Sequence, residues 1–196
     1  MHSLTKYVGG HADVVAGALM FNDPDLYDKL YFNMKSTGGI ISPFDAWVAL
    51  RGAKTLEVRV EKCCSNAMAI AKFLEAHPKV EKVLYPGLPS HPHHKIAVKN
   101  RSRAKYSGGS GMLAFYIKGD IKQASKLMSS LQIISLAESL GDVTSLIESP
   151  ALMTHGSVPP AHRKMLGIDD NFLRMSCGNE DPEDLINDLK KALAKI

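Results

Sequence analysis

The sequence is short of the features that mark membrane, secreted and nucleic-acid-binding proteins. No apolar run approaches the roughly 20 residues that a membrane helix needs, and residues 1–7 contain no apolar segment of a secretory signal. The three cysteines, Cys63, Cys64 and Cys177, form neither a disulfide framework nor a zinc-ligand pattern. Lysine and arginine outnumber aspartate and glutamate by 24 to 20, but they are scattered rather than clustered. We therefore expect a cytoplasmic protein that binds neither nucleic acid nor a membrane.

A metal site is not expected either. His91, His93 and His94 lie close together in the sequence, but in a proline-rich loop without a nearby cysteine or carboxylate cluster. Such histidines lie on the surface more often than they bind a metal.

The first part of the chain predicts one strand and two helical segments. The apolar run at residues 14–21 predicts a strand that is buried on both faces. Asp23-Pro24 is typical of a helix start, and so is Ser42-Pro43. The second helical segment runs to about Ala76, which is long beside a mean helix of about 11–12 residues. We expect either one helix that joins two domains or a break near residues 52–54.

From residue 80 onward, predicted strands and helices alternate. The last helix starts at Asp181-Pro182, and its leucines recur every four residues at Leu185, Leu189 and Leu193. This alternation predicts an α/β domain with its own core. The predicted strands occupy residues 80–85, 112–117, 133–136 and 171–176, and a further helix occupies residues 121–130.

A lysine near the start of the chain has a suggestive setting. Lys6 follows two hydroxyl residues, Ser3 and Thr5, and precedes the pair Gly9-Gly10. A lysine held near a domain interior is partly desolvated, which favours the uncharged amine that forms a Schiff base with an aldehyde. Hydroxyls beside it could donate to a phosphate. On the residues alone, a surface lysine in a turn is the simpler interpretation.

A longer pattern around Lys6 resembles the cofactor-attachment motif of a known family. Residues 3–13 read Ser-x-Thr-Lys-Tyr-x-x-Gly-His-x-Asp, which resembles the pyridoxal-phosphate motif of the Cys/Met metabolism enzymes. The resemblance covers essentially the whole chain and is strongest to the cystathionine γ-lyases of that family. Further segments that resemble the family in the same order are Lys54-Thr55-Leu56 with Arg59, and residues 83–88, 90–92, 137–141, 153–155 and 180–185.

This resemblance implies a fold, a cofactor and three cofactor residues. The expected fold is α/β, the C-terminal part of a fold-type I pyridoxal-phosphate-dependent transferase. Residues 1–55 would form the end of the large cofactor domain, and residues 56–196 a small C-terminal α/β domain. Lys6 would carry pyridoxal phosphate and transfer protons, while Ser3 and Thr5 would contact the cofactor phosphate.

The resemblance also implies three substrate-binding residues. Arg174 matches the arginine that holds the substrate α-carboxylate, a task that suits a planar bidentate guanidinium. Ser139 matches a serine that lines the substrate pocket, and Glu138 would meet the distal ammonium of cystathionine. On the residues alone, Arg174 also fits a strand-end ion pair, and Glu138 a solvated glutamate before a turn.

The activity implied for the parent enzyme is carbon–sulfur bond cleavage in transsulfuration. Cystathionine would give cysteine, ammonia and 2-oxobutanoate, within a homo-oligomer that is a tetramer in this family. A cystathionine γ-synthase or another family member is the alternative enzyme. Because family members are about twice as long, we expect a truncated chain, and a non-catalytic protein is the second alternative.

Overall fold

The computed structural model describes residues 1–100 and 109–196. The chain divides into two compact units, Met1–Leu56 and Glu57–Ile196. In these described ranges, no helix combines the length and the apolar character needed to cross a membrane.

The first unit consists of a two-stranded ribbon and two helices. Strand β1 (His2–Ser3) pairs antiparallel with β2 (Gly17–Ala18). Helices α1 (Pro24–Thr37) and α2 (Pro43–Ala53) follow.

Both helix starts expected from Asp-Pro and Ser-Pro are confirmed. The Asp23 side chain accepts a hydrogen bond from the Asp25 backbone N–H at 2.9 Å, and Ser42 Oγ accepts one from Asp45 N–H at 3.0 Å. Each cap satisfies a backbone donor that the first helical turn leaves unpaired.

The strand expected at residues 14–21 is wrong for most of its length. Only Gly17–Ala18 is a strand, and although Val14 is 5% exposed, its neighbour Val15 is 89% exposed. A strand that is buried on both faces requires packing layers on both sides. Residues 1–56 supply only two helices and a two-residue partner strand.

The long helical segment breaks where the sequence indicated. Helix α2 ends at Ala53, and α3 (Leu56–Glu75) begins three residues later. The Gly52 carbonyl accepts hydrogen bonds from both the backbone N–H and the hydroxyl of Thr55, each at 3.1 Å. Because the donor to this carbonyl is residue 55, three positions along, rather than residue 56, the helix tightens at its end and the chain can turn.

The second unit is built on a five-stranded sheet with the strand order β3-β4-β7-β6-β5. All neighbouring strands are antiparallel except β5 and β6, which are parallel. The strands are β3 (Val80–Leu84), β4 (Met112–Ile117), β5 (Ser135–Leu136), β6 (Leu146–Glu148) and β7 (Phe172–Ser176); besides α3, the helices are α4 (His94–Asn100), α5 (Ile121–Ser130), α6 (Pro160–Met165) and α7 (Pro182–Ala194).

The α/β alternation expected from residue 80 onward is confirmed, with one strand added. Strand β6 was not predicted, and the strand expected at residues 133–136 shortens to Ser135–Leu136. The expected helix at residues 121–130 and strand at residues 112–117 match α5 and β4.

One face of the sheet forms the hydrophobic core. Alternate residues of β4 and β7 point to this face, and Phe115 pairs with Leu173 across the two strands. Helices α3, α5 and α7 contribute their apolar residues to the same cluster, including Ile70, Leu127 and Leu189. The intervening residues of each strand therefore lie on the opposite face.

A buried carboxylate on α7 ties a loop to this core. Asp188 is 4% exposed, and its oxygens accept backbone N–H bonds from Gln132 at 2.9 Å, Ile133 at 2.8 Å and Ile134 at 3.0 Å. These three donors lie on the segment that leads into β5.

Asp188→Ala should destabilise the protein by about 3 kcal/mol, because it leaves three backbone N–H groups, that of Ile134 fully buried, without an acceptor. Asp188→Asn keeps one acceptor oxygen and should lose less. Urea unfolding measures both, with the exposed neighbour Asn187→Ala expected within about 0.5 kcal/mol of wild type. Equal losses for the alanine variants at positions 187 and 188 would contradict this role.

Candidate functional site

Lys6 lies in a wide helical turn between the two strands of the ribbon. The turn spans Leu4–Val8, and its backbone breaks from helical geometry at Lys6, with φ −95° and ψ −132°. The Gly9 N–H donates to the Leu4 carbonyl and the Gly10 N–H to the Lys6 carbonyl, both at 2.8 Å. Lys6 itself is half-buried. We call Leu4–Val8 the lysine turn.

Thr5 links the lysine turn by hydrogen bonds to the segment that leads into β2. Its hydroxyl donates to the Ala16 carbonyl at 3.2 Å and accepts from the Ala16 N–H at 2.9 Å. The hydroxyl proton is therefore engaged by the backbone in this structure. Ser3 is exposed, and its hydroxyl makes no hydrogen bond within the described ranges.

Two glycines let the lysine turn pack backbone to backbone. A Cβ on Gly9 would lie 2.6 Å from the Leu4 carbonyl oxygen, and a Cβ on Gly52 would lie 2.2 Å from the Gly9 carbonyl oxygen. Neither position has room for a larger residue. The lysine turn is consequently restrained by the hydrogen bonds of Thr5 to Ala16 and by the contact of Gly9 with α2.

These residues fit what a carbonyl cofactor with a phosphate requires from this part of a protein. A half-buried amine on a fixed turn suits covalent attachment, and the unengaged hydroxyl of Ser3, three residues away, is a donor suited to a phosphate oxygen. Within the described ranges, no group of three or more His, Cys, Asp or Glu side chains could hold a metal ion.

The predicted substrate residues lie in the second unit, around the middle of the sheet. Arg174 stands on β7, directly opposite Glu148 of β6 and Ala114 of β4. Its neighbours Leu173 and Met175 belong to the core, so Arg174 lies on the face turned away from the core helices. Its side chain is 28% exposed.

The Arg174 guanidinium makes one hydrogen bond and one ion pair, and neither oxygen of the Glu148 carboxyl has a hydrogen-bond partner within the described ranges. Arg174 Nη2 donates to the backbone carbonyl of Glu138 at 2.6 Å and lies 2.9 Å from Glu148 Oε1. Nε and Nη1 have no partner in the described part of the chain. Three of its five N–H donors are therefore open to an anion.

The structure thus brings Arg174 and Glu138 together, but through the Glu138 backbone rather than its carboxylate. The Glu138 side chain is exposed, and Ser139 is half-buried beside it. The Ala137 N–H donates to the Ile147 carbonyl at 3.1 Å, which places this segment alongside β6. Lys6, Ser3 and Thr5 belong to the other unit.

Glu148 was missed by sequence reasoning. It is 1% exposed, and Arg174 is its only ion-pair partner within the described ranges. The signal available in the sequence was the short apolar run Leu146-Ile147, which directly precedes this glutamate. Only the strand pairing reveals that this carboxylate faces an arginine.

Burial dominates the electrostatics of Glu148. It raises the pKa of the Glu148 carboxyl above its ordinary value, the positive charge of Arg174 opposes the shift, and the negative charge of Glu138 adds to it. His155 and Thr154, from the segment after β6, act weakly in the same sense as Arg174. Glu148 therefore holds its proton more strongly in the folded protein than in the unfolded chain.

The three cysteines offer no reactive thiolate. All are buried, and burial raises the pKa of Cys63 and of Cys64 to about 11. The pKa of Cys177 is raised by burial as well. Thiols with such pKa values stay protonated at neutral pH and are poor nucleophiles.

The raised pKa of Glu148 predicts a pH dependence of stability. Since the folded state retains the proton longer, the unfolding free energy of wild type should fall, relative to Glu148→Gln, as the pH rises from the ordinary to the raised pKa. The limiting slope for one proton is about 1.4 kcal/mol per pH unit. Urea unfolding across this pH range checks it, with Glu61→Gln on an exposed face of α3 as control. A constant difference between wild type and Glu148→Gln would contradict the shift.

Comparison with known proteins agrees with this geometry along the whole chain. Residues 1–194 match the Cys/Met metabolism PLP-dependent enzyme family. The cystathionine gamma-lyase of Dictyostelium discoideum is 51% identical over 195 residues, which are 100% of this chain and 49% of that protein.

Solved structures give the same result at the level of the fold. Yeast cystathionine gamma-lyase superimposes with a TM-score of 0.91 at 45% identity, covering 98% of this chain and 49% of that one. Cystathionine gamma synthase from Xanthomonas oryzae gives 0.90 at 40% identity, covering 99% and 49%. The chain spans about half the length of the relatives it matches. It belongs to the Cys/Met metabolism PLP-dependent enzyme family.

Proposed function

We propose that this chain is the C-terminal part of a pyridoxal-phosphate-dependent carbon–sulfur lyase that cleaves cystathionine. The observation that supports it most is the half-buried Lys6 on a turn fixed by Thr5 and by two close-packed glycines. The γ-lyase names of the relatives in Dictyostelium discoideum and yeast support the reaction type. Residues 1–55 would complete a large cofactor domain, and residues 56–196 would form the C-terminal domain.

In this proposal Lys6 and Ser3 hold the cofactor, and Thr5 fixes the turn between them. Bound pyridoxal phosphate supplies an electron sink for negative charge that develops on the substrate carbon. The Lys6 amine, once free, accepts the proton from the substrate α-carbon and returns it later in the reaction.

Arg174 binds the α-carboxylate of the substrate through its open Nε and Nη1 donors. A planar pair of N–H groups matches a carboxylate in a way that a lysine cannot. The exposed Glu138 carboxylate attracts the distal ammonium of cystathionine, and Ser139 lines the pocket. With one water consumed, the products are cysteine, ammonia and 2-oxobutanoate.

One other function is favoured by a particular observation. The likeness to a cystathionine gamma synthase, with a TM-score of 0.90, supports a synthase that uses the same Lys6 and Arg174. A non-catalytic protein is the other alternative, and the labelling experiment below decides between it and an enzyme. A cytoplasmic location and a homotetramer are further proposals, which rest on the family alone.

Attachment of pyridoxal phosphate to Lys6 tests the proposal directly. The purified chain is mixed with pyridoxal phosphate, reduced with borohydride to make the bond to the amine permanent, and mapped by peptide mass spectrometry. We expect the label on Lys6 and its loss in Lys6→Ala, because the fixed, half-buried amine is the preferred attachment site.

Lys35→Ala, which removes an exposed lysine of α1, is the matched control and should leave the label on Lys6 unchanged. Labelling that is spread evenly over exposed lysines, or absent from Lys6, would reject cofactor binding by this chain and leave the non-catalytic alternative.

A further inference from the structure

We propose that Glu148 is a positioning residue that fixes the Arg174 guanidinium so that its open edge receives the substrate carboxylate. This inference rests on the proposed function, in which Arg174 binds that carboxylate. Glu148 lies outside the residues indicated by the sequence, and its contribution acts only through Arg174.

The strand register imposes the arrangement. Glu148 and Arg174 are directly paired in the antiparallel β6–β7 ladder, where opposed side chains on one face lie about 4.5–5.5 Å apart at Cβ. All three residues of β6 are buried. Glu148 therefore has little room to turn away, and its carboxylate stays beside Arg174.

The contact matters because it engages only one of the three guanidinium nitrogens of Arg174. Nη2 donates a hydrogen bond to the Glu138 carbonyl and forms an ion pair with Glu148 Oε1 at 2.9 Å. A long arginine side chain loses considerable rotamer freedom when it is fixed, and holding Nη2 in advance removes that loss from the binding step. The Nε and Nη1 groups are then presented in a constant orientation.

The carboxylate of Glu148 also has an effect that opposes binding. A negative charge beside Arg174 weakens the attraction of the guanidinium for an anion. The two effects can therefore be separated by removing the charge of Glu148 alone, or both its charge and its polar oxygen. Glutamine keeps an acceptor without the charge, whereas methionine of similar volume keeps neither.

The test is a titration of the purified chain with acetate, followed by the NMR signal of the Arg174 Nε–H group. Loss of this signal in Arg174→Lys assigns it. We expect Glu148→Gln to bind acetate at least as tightly as wild type. Glu148→Met should bind about tenfold more weakly than Glu148→Gln, because only the methionine variant removes the polar group beside Nη2 and leaves the Glu138 carbonyl to hold the guanidinium alone. Glu61→Met on exposed α3 should bind as wild type does.

Equal acetate affinities for the glutamine and methionine variants would overturn the positioning role, since these variants differ chiefly in the acceptor. Glu148→Leu repeats the comparison with a second apolar side chain if the methionine variant does not fold. An Arg174 signal that does not move with acetate in wild type would reject carboxylate binding by Arg174, and with it both proposals. Movement in wild type with equal affinities in the variants would reject only the role of Glu148.

Discussion

The alternation of side chains along β7 is the constraint on which the second unit depends. Leu173 and Met175 are fully buried on the side of the core helices, so Arg174 between them is forced onto the other face. The antiparallel partner β6 places Glu148 opposite it. This strand therefore contributes to the hydrophobic core on one face and holds a cation on the other, so a one-residue shift in register would disturb both.

Local patterns predicted the regular elements well. The leucine spacing over α7 and the Asp-Pro start of α1 each indicated a helix that the structure contains, because these signals depend on short-range geometry. The apolar run near Val14 indicated a buried strand and was wrong, because burial on both faces depends on packing layers that a local pattern cannot reveal. Strand β6 was missed for the related reason that three residues carry no usable periodicity.

The candidate site divides in the same way between what the sequence identifies and what only the structure supplies. The motif around Lys6 predicts by resemblance that this lysine attaches the cofactor, while the two hydrogen bonds between Thr5 and the Ala16 backbone could not be anticipated. Arg174 was likewise named from the sequence, but its restraint by Glu148 depends on contacts between strands far apart in the chain. The composition of the sequence and the spacing of its motifs do not reveal which distant residues lie side by side in the folded chain.

The coupling between Arg174 and Glu148 is measured most directly by a double-mutant cycle on the free energy of unfolding. The variants are Arg174→Met, Glu148→Gln and the two combined. Arg174→Met alone leaves a buried carboxylate without its cation, a large penalty that the double variant removes. The double variant should therefore be more stable than the sum of the single losses predicts, by about 1–3 kcal/mol. Losses that add within about 0.5 kcal/mol would contradict a coupled pair at the centre of the sheet.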